Sequence, residues 1–211
     1  MTRALAEKRQ RWLDADLHRL DGFAGYLAND EGRALYDLAR EVPPDRAIVE
    51  LGSYKGKSTS YLAAGSMAGQ RAPVYAVDLW DNLEGIRAEA QKNGAGYQQY
   101  NDPMCRRIFD LQIEEVGATE VVTSIVSETS AAGRDWSGGP VGLLFIDASH
   151  DHDSVIADFA AWRSHLADGA VVAFHDYARR FPGVWRAANE IRGAHRSWTG
   201  RLVRTLLIVS T

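Results

Sequence analysis

The 211-residue chain holds one cysteine, Cys105, which leaves no internal disulfide and no cysteine zinc cluster, so nothing points to an oxidising compartment. It also lacks a basic surplus. The formal net charge is −4, whereas neutralising nucleic-acid phosphates requires a clustered cationic face. The basic runs at Lys8 to Arg11 and at Arg179-Arg180 sit among acids or aromatics and read as solvated helix faces. No apolar run approaches the roughly 18 residues of a spanning helix. Met1 to Asp21 is charged throughout, unlike a signal peptide. No repeat or low-complexity block divides the chain. These absences predict one domain, cytoplasmic, with neither nucleic acid nor membrane as partner, and 45% hydrophobic content suffices for a full core.

What is present is organised around the run Ala47-Ile48-Val49-Glu50-Leu51-Gly52-Ser53-Tyr54-Lys55-Gly56-Lys57-Ser58-Thr59. Ala47 to Val49 and Leu51 read as a strand covered on both faces. Gly52 and Gly56 permit tight backbone paths, and Ser58 or Thr59 suits the first turn of a helix running to about Met67. Such a turn brings bare amides close to a ligand. Its spacing is neither the dinucleotide G-x-G-x-x-G, since residue 54 is Tyr, nor a phosphate loop, which needs glycine where Lys57 stands. Glu50, just before the turn, would repel a polyphosphate and suits a cationic amino group. Val74 to Asp78 reads as a second strand. Its closing acid lies 26 residues beyond Gly52, near the spacing of a ribose-binding carboxylate.

Leu5, Trp12, Leu13, Leu17 and Leu20 recur at helical spacing, which predicts an amphipathic helix outside the sheet. It could cover the domain's own edge, the substrate, or a second copy in a homodimer. A second helix is expected over Glu31 to Glu41, capped by Asn29-Asp30 and closed by Pro43-Pro44. Residues 82–103, which include Tyr97 and Tyr100, are a candidate lid. Next come a helix from Met104 to Val116, strands at Glu120 to Ile125 and Val141 to Ile146, and a helix from Ser154 to Leu166 capped by Asp153 or Ser154. A turn at Asp168-Gly169 leads to a strand at Ala170 to Phe174. A helix from Pro182 to about Arg192 then precedes a last strand, Leu202 to Val209, after a hairpin near Thr199-Gly200. Strand and helix alternate, the pattern of an α/β fold with a parallel sheet covered on both faces. Residues 1–44 read as a helical cap and 45–211 as the core.

Polar residues collect where these strands end: Glu50 and Gly52, Asp78 and Trp80, Ser127 and Glu128, Asp147 to Asp153, and His175-Asp176-Tyr177. Ligands of open α/β sheets bind at such ends. Val49 to Gly56 together with Ala76-Val77-Asp78 resembles the first two motifs of the class I S-adenosylmethionine-dependent methyltransferases, and the resemblance runs over most of the chain. Ile146-Asp147-Ala148-Ser149-His150 and His175-Asp176-Tyr177 look like the small-molecule members that act on sugars and natural-product scaffolds, related to catechol O-methyltransferases. The resemblance implies a Rossmann-like, doubly wound seven-stranded sheet. That sheet would be mostly parallel with an antiparallel last strand, have helices on both faces, and carry extra N-terminal helices. It implies S-adenosylmethionine as cofactor, with Glu50 and the loop Gly52, Ser53, Tyr54 and Gly56 at its methionyl part, Asp78 at the ribose and Ser127 near the adenine. Ser58 and Asp147 belong to the same set, and Trp80 either stacks beside the purine or seals the sheet.

An alcohol is a weak nucleophile near neutral pH and its proton must go somewhere, which a histidine base or a divalent cation solves. The resemblance places Asp147 as a metal ligand, and Asp147 and Asp176, with His175, offer a set for Mg2+. It departs at the fifth strand, where catechol-type enzymes carry Asp-Asn and this chain has His175-Asp176. Without a metal, His150 or His175 is the expected general base, so His150, Asp147 and His175 form the candidate catalytic set. The implied partner is a small hydroxylated acceptor. N- or C-methylation, or a non-catalytic cofactor-binding module, remain alternatives, and the module is favoured if Asp147, His150 and Asp176 do not converge.

Overall fold

The computed structural model describes residues 17–80, 104–195 and 197–211. The candidate lid over 82–103 and most of the first amphipathic helix lie outside the described residues. Helix α1 (Asn29–Glu41) precedes strand β1 (Ala47–Leu51), helix α2 (Lys57–Ala68) and strand β2 (Val74–Asp78). Helix α3 (Cys105–Val116), strand β3 (Val122–Val126), helix α4 (Thr129–Arg134) and strand β4 (Val141–Ile146) follow. The chain closes with α5 (His152–Trp162), β5 (Leu166–Phe174), α6 (Pro182–Ala194), β6 (Thr199–Val203) and β7 (Leu206–Ser210).

The strands form one seven-stranded sheet in the order β3-β2-β1-β4-β5-β7-β6. Strands β1 to β5 pair in parallel, and β7 runs antiparallel to β5 and to β6. This is the Rossmann-like, mostly parallel sheet with an antiparallel last strand. β1 is apolar throughout, apart from Glu50, because both its faces are covered. Ala47, Val49 and Leu51 pack with Val155, Phe159 and Trp162 of α5 and Val184 and Ile191 of α6, while Ile48 packs with Leu35 of α1 and Leu62 of α2. Fully burying such a side chain contributes about 1.5–3 kcal/mol. Leu20, the described end of the amphipathic stripe, is buried in the cluster with Leu35 and Tyr61, so that end covers the domain itself.

Several expected boundaries are corrected. Helix α1 is capped at Ala28, with the Glu31 side chain accepting the Ala28 amide at 3.2 Å, and Asn29 is already helical. The cap of α5 is Asp151, whose Oδ1 accepts the Ser154 amide at 2.9 Å. That helix ends at Trp162 and continues as a 3₁₀ turn, Arg163–His165. Asp168-Gly169 lies inside β5 instead of before it, where Gly169 has φ +71° and the pairing with β4 shifts register between Val141 and Leu143. The expected single strand over Leu202 to Val209 is two strands, with the hairpin turn at Arg204-Thr205 and not at Thr199-Gly200.

Candidate active site

The sheet order reverses between β1 and β4, and ligands of open α/β sheets bind outside the strand ends at such a point. Gly52 leaves β1 with φ +88°, and a Cβ there would collide with the Asp147 carbonyl and lie 2.7 Å from the Ala148 Cα. Glycine is therefore what allows the β1 and β4 turns to touch. The turn amides of Ser53 and Tyr54 donate to Asp78 Oδ2 at 2.9 and 2.7 Å. Trp80 donates its amide to Asp78 Oδ1 at 3.1 Å and its indole Nε1 to the Tyr54 carbonyl at 2.8 Å.

A cavity of about 1110 Å³ opens above these strand ends. Of the residues expected to hold the cofactor, Gly52, Ser53, Tyr54, Ser58, Asp78, Trp80, Ser127 and Asp147 line it. Glu50 and Gly56 do not. The Glu50 side chain is 0% exposed and accepts the Thr59 hydroxyl beneath the loop. Burial pushes its carboxyl up to about 7, against the pull of the Ser58 and Thr59 hydroxyls, and Glu50 lies beneath the loop, not on the cavity wall. Gly56 faces the Phe109 ring, where a Cβ would lie 2.8 Å from Cδ2. Trp80 is 6% exposed, with Phe109 at 4.8 Å and the Arg106 guanidinium at 4.7 Å. It packs against this layer and also lines the cavity.

At the β4 and β5 ends, His150 and Asp176 converge, with His150 Nε2 lying 2.9 Å from Asp176 Oδ2. The His150 ring stacks on Phe181 at 4.9 Å, and its side chain remains 34% exposed on the cavity. The Phe181 contact has no sequence signal, because Phe181 reads only as the residue before a helix-opening proline.

His175 is placed differently. It is 6% exposed, with Nδ1 3.0 Å from Asp147 Oδ1 and 3.6 Å from Asp176 Oδ2, and Nε2 3.2 Å from Glu31 Oε2. Burial pulls its pKa down, but the charge and hydrogen bond of Asp147, the hydrogen bond to Glu31 and the charge of Asp176 outweigh this and push it up to about 11. Burial raises Glu31 in turn, yet its bonds with His175 and Thr205 hold it down to about 2. An imidazole held between carboxylates on both nitrogens cannot take a substrate proton near neutral pH. The expectation of His175 as a base does not fit this geometry, which leaves His150 as the candidate base.

A family profile described as a methyltransferase domain matches residues 49–177. The chain belongs to this methyltransferase family. Among solved structures, the chain is similar to an O-methyltransferase from Bacillus cereus in complex with SAH, at 16% identity over 94% of this chain and 90% of that one, with a TM-score of 0.63. It is similar to the O-methyltransferase TomG from Streptomyces achromogenes, involved in tomaymycin synthesis and solved with SAM, at 17% identity over 100% and 89% of the two chains, with a TM-score of 0.63. The O-methyltransferase NovP shares 14% identity over 87% of this chain and 80% of that one, with a TM-score of 0.68. At such identities the likeness establishes the fold.

The cavity of this methyltransferase fits a large cationic cofactor. Ser53 and Tyr54 of the glycine turn line it, and Asp78 and Asp147 bring carboxylates to its wall. The cluster expected for a metal also fits. Asp147, His175 and Asp176 each offer one ligand atom, all within 4.8 Å of one another. Behind the imidazole stands a carboxylate, Glu31, at the other ring nitrogen, the arrangement that orients metal-bound histidines. When Nδ1 serves as ligand, its proton leaves to solvent. One imidazole beside two carboxylates suits a transition-metal dication that also takes nitrogen, such as Fe2+ or Mn2+, better than Mg2+, which prefers an all-oxygen shell.

Proposed function

We propose that this protein moves a methyl group from S-adenosylmethionine to a hydroxyl of a small metabolite of the sugar or natural-product class. In this reading Asp147, His175 and Asp176 hold a divalent cation and His150 accepts the proton. The observation that carries it is the convergence of Asp147, His150 and Asp176 on the cavity wall that the glycine turn also lines. A non-catalytic binding module has no need of that convergence.

The cofactor supplies an electrophilic methyl group on a sulfonium, whose departure leaves a neutral thioether. Asp147, His175 and Asp176 would hold the divalent cation, which would make a nearby hydroxyl more acidic. The acceptor oxygen would take this methyl group in place of the sulfur, and its proton would pass to the imidazole of His150. Asp176 at Nε2 can only accept a hydrogen bond, so the neutral His150 carries its proton on Nε2 and offers Nδ1 to the acceptor. The carboxylates on the cavity wall, Asp78, Glu128, Asp147 and Asp176 among them, disfavour a polyphosphate acceptor and suit a neutral one.

The His150 and Asp176 pair also supports a second reading, in which the transfer runs on histidine alone, because that pair is complete without a cation. Calorimetric titration with S-adenosylhomocysteine, with and without chelation, followed by a methylation screen of hydroxylated, amine and carbon acceptors, separates the readings. Micromolar binding and turnover of hydroxyl acceptors that chelation abolishes is the expected result. Turnover unaffected by chelation leaves the histidine-only mechanism, turnover of amine or carbon acceptors alone rejects O-methylation, and no cofactor binding rejects the methyltransferase reading.

A further inference from the structure

We propose that Glu31, in the first turn of α1, is a positioning residue for the metal cluster, holding His175 through Nε2 so that Nδ1 faces Asp147 and Asp176. The proposal rests on the metal reading above. Glu31 lies outside the segment matched by the family profile, and is 144 residues from His175 in sequence. It is 1% exposed, yet it is a carboxylate in a helix whose other first-turn acid, Asp30, reaches the exposed Arg204.

The geometry explains why an acid is kept there. Glu31 Oε1 receives the Thr205 amide at 2.8 Å and the Thr205 hydroxyl at 2.6 Å, and Oε2 receives the Ala28 amide at 3.2 Å. The same Oε2 lies 3.2 Å from His175 Nε2. A carboxylate has about four lone-pair positions, and here each has a donor, so the group is fixed from the α1 cap, the β6–β7 turn and the end of β5. An ionised carboxylate can only accept a hydrogen bond. With a cation at Nδ1, on the side of Asp147 and Asp176, the single proton of His175 would sit on Nε2, where Glu31 accepts it. The capping and turn bonds of Glu31 need no histidine, and the contact with His175 is the one that reaches the cluster.

Mn2+ is the probe, read by calorimetry and by pulsed EPR, which detects the 14N nucleus of a coordinated imidazole. Wild-type protein is expected to bind Mn2+ with 14N modulation. Glu31→Gln, folded by circular dichroism, is expected to weaken that binding by about ten- to a hundredfold, the usual effect of losing a carboxylate behind a metal-bound histidine. Thr205→Val removes a structural bond of Glu31 without touching His175, and is expected to lower thermal stability while keeping the wild-type Mn2+ affinity. A second arm needs no variant: with Zn2+ bound to wild-type protein, long-range 1H–15N spectra should place the His175 proton on Nε2. Absence of any Mn2+ binding rejects the metal reading itself. Mn2+ binding without 14N modulation, an affinity unchanged in Glu31→Gln, or a proton on Nδ1 overturns the role of Glu31.

Discussion

The carboxylate of Asp78 receives the main-chain amide of Tyr54 at 2.7 Å. Tyr54 and Trp80 both adopt left-handed backbone, with φ of 47° and 34°, and Asp78 accepts an amide from each. The acid at the end of β2 therefore knits together the turn that a cofactor must approach. Asp78→Ala should weaken S-adenosylhomocysteine binding by more than about tenfold and lower unfolding free energy by about 1–3 kcal/mol through the orphaned amides. Calorimetry and denaturant unfolding on the same preparations check both effects. A loss of affinity with unchanged stability would assign Asp78 to the ligand alone.

Gly52 and Gly117 both have positive φ, but only Gly52 has backbone in the space where a Cβ would go. Gly117→Ala should cost only the left-handed backbone penalty of about 1–2 kcal/mol. Gly52→Ala should cost several kcal/mol more, because the Asp147 turn must move. Thermal unfolding of the two variants measures the difference, and equal losses would show that the contact is soft.

The raised pKa of Glu50 makes stability depend on pH with a sign opposite to that of a paired acid. Below about 4.5 the group is protonated in both folded and unfolded states. Between about 4.5 and about 7 only the unfolded state gives up the proton, so stability falls as pH rises across that window and is flat above it. The drop is on the order of 3 kcal/mol, from about 1.4 kcal/mol per unit. Glu50→Gln should remove this slope, seen as a difference between wild-type and variant denaturation midpoints that grows from pH 5 to pH 7.

His150→Ala should lower kcat for a methylated acceptor by about 10²–10⁴, the range of a lost proton acceptor, while S-adenosylhomocysteine affinity stays close to wild type. Asp176→Asn should also slow the transfer, since an amide no longer fixes His150 through an accepting carboxylate. Single-turnover rates on the acceptor found by screening read both. A wild-type rate in His150→Ala would remove it from the chemistry.

The strands Ala47–Leu51, Val74–Asp78 and Val141–Ile146 were legible because a strand buried on both faces is a short apolar run with sharp ends. Helix α4 was not, since Thr129–Arg134 is six residues long and a helical period needs more turns than that to show. The hairpin at Arg204-Thr205 was missed because its φ of 52° falls on arginine, which carries no turn signal.

By itself the sequence determined the α/β alternation, the glycine turn after β1 and the gathering of acids and histidines at the strand ends, because periodicity and turn chemistry act over a few residues. Which of those side chains work together was decided by tertiary structure. Local pattern could not show that Glu50 lies off the cavity wall, that His150 Nε2 meets Asp176, or that Glu31 in the first turn of α1 reaches His175 at the end of β5. Those choices depend on desolvation and on charges brought close only when distant elements pack, and short-range patterning does not encode them.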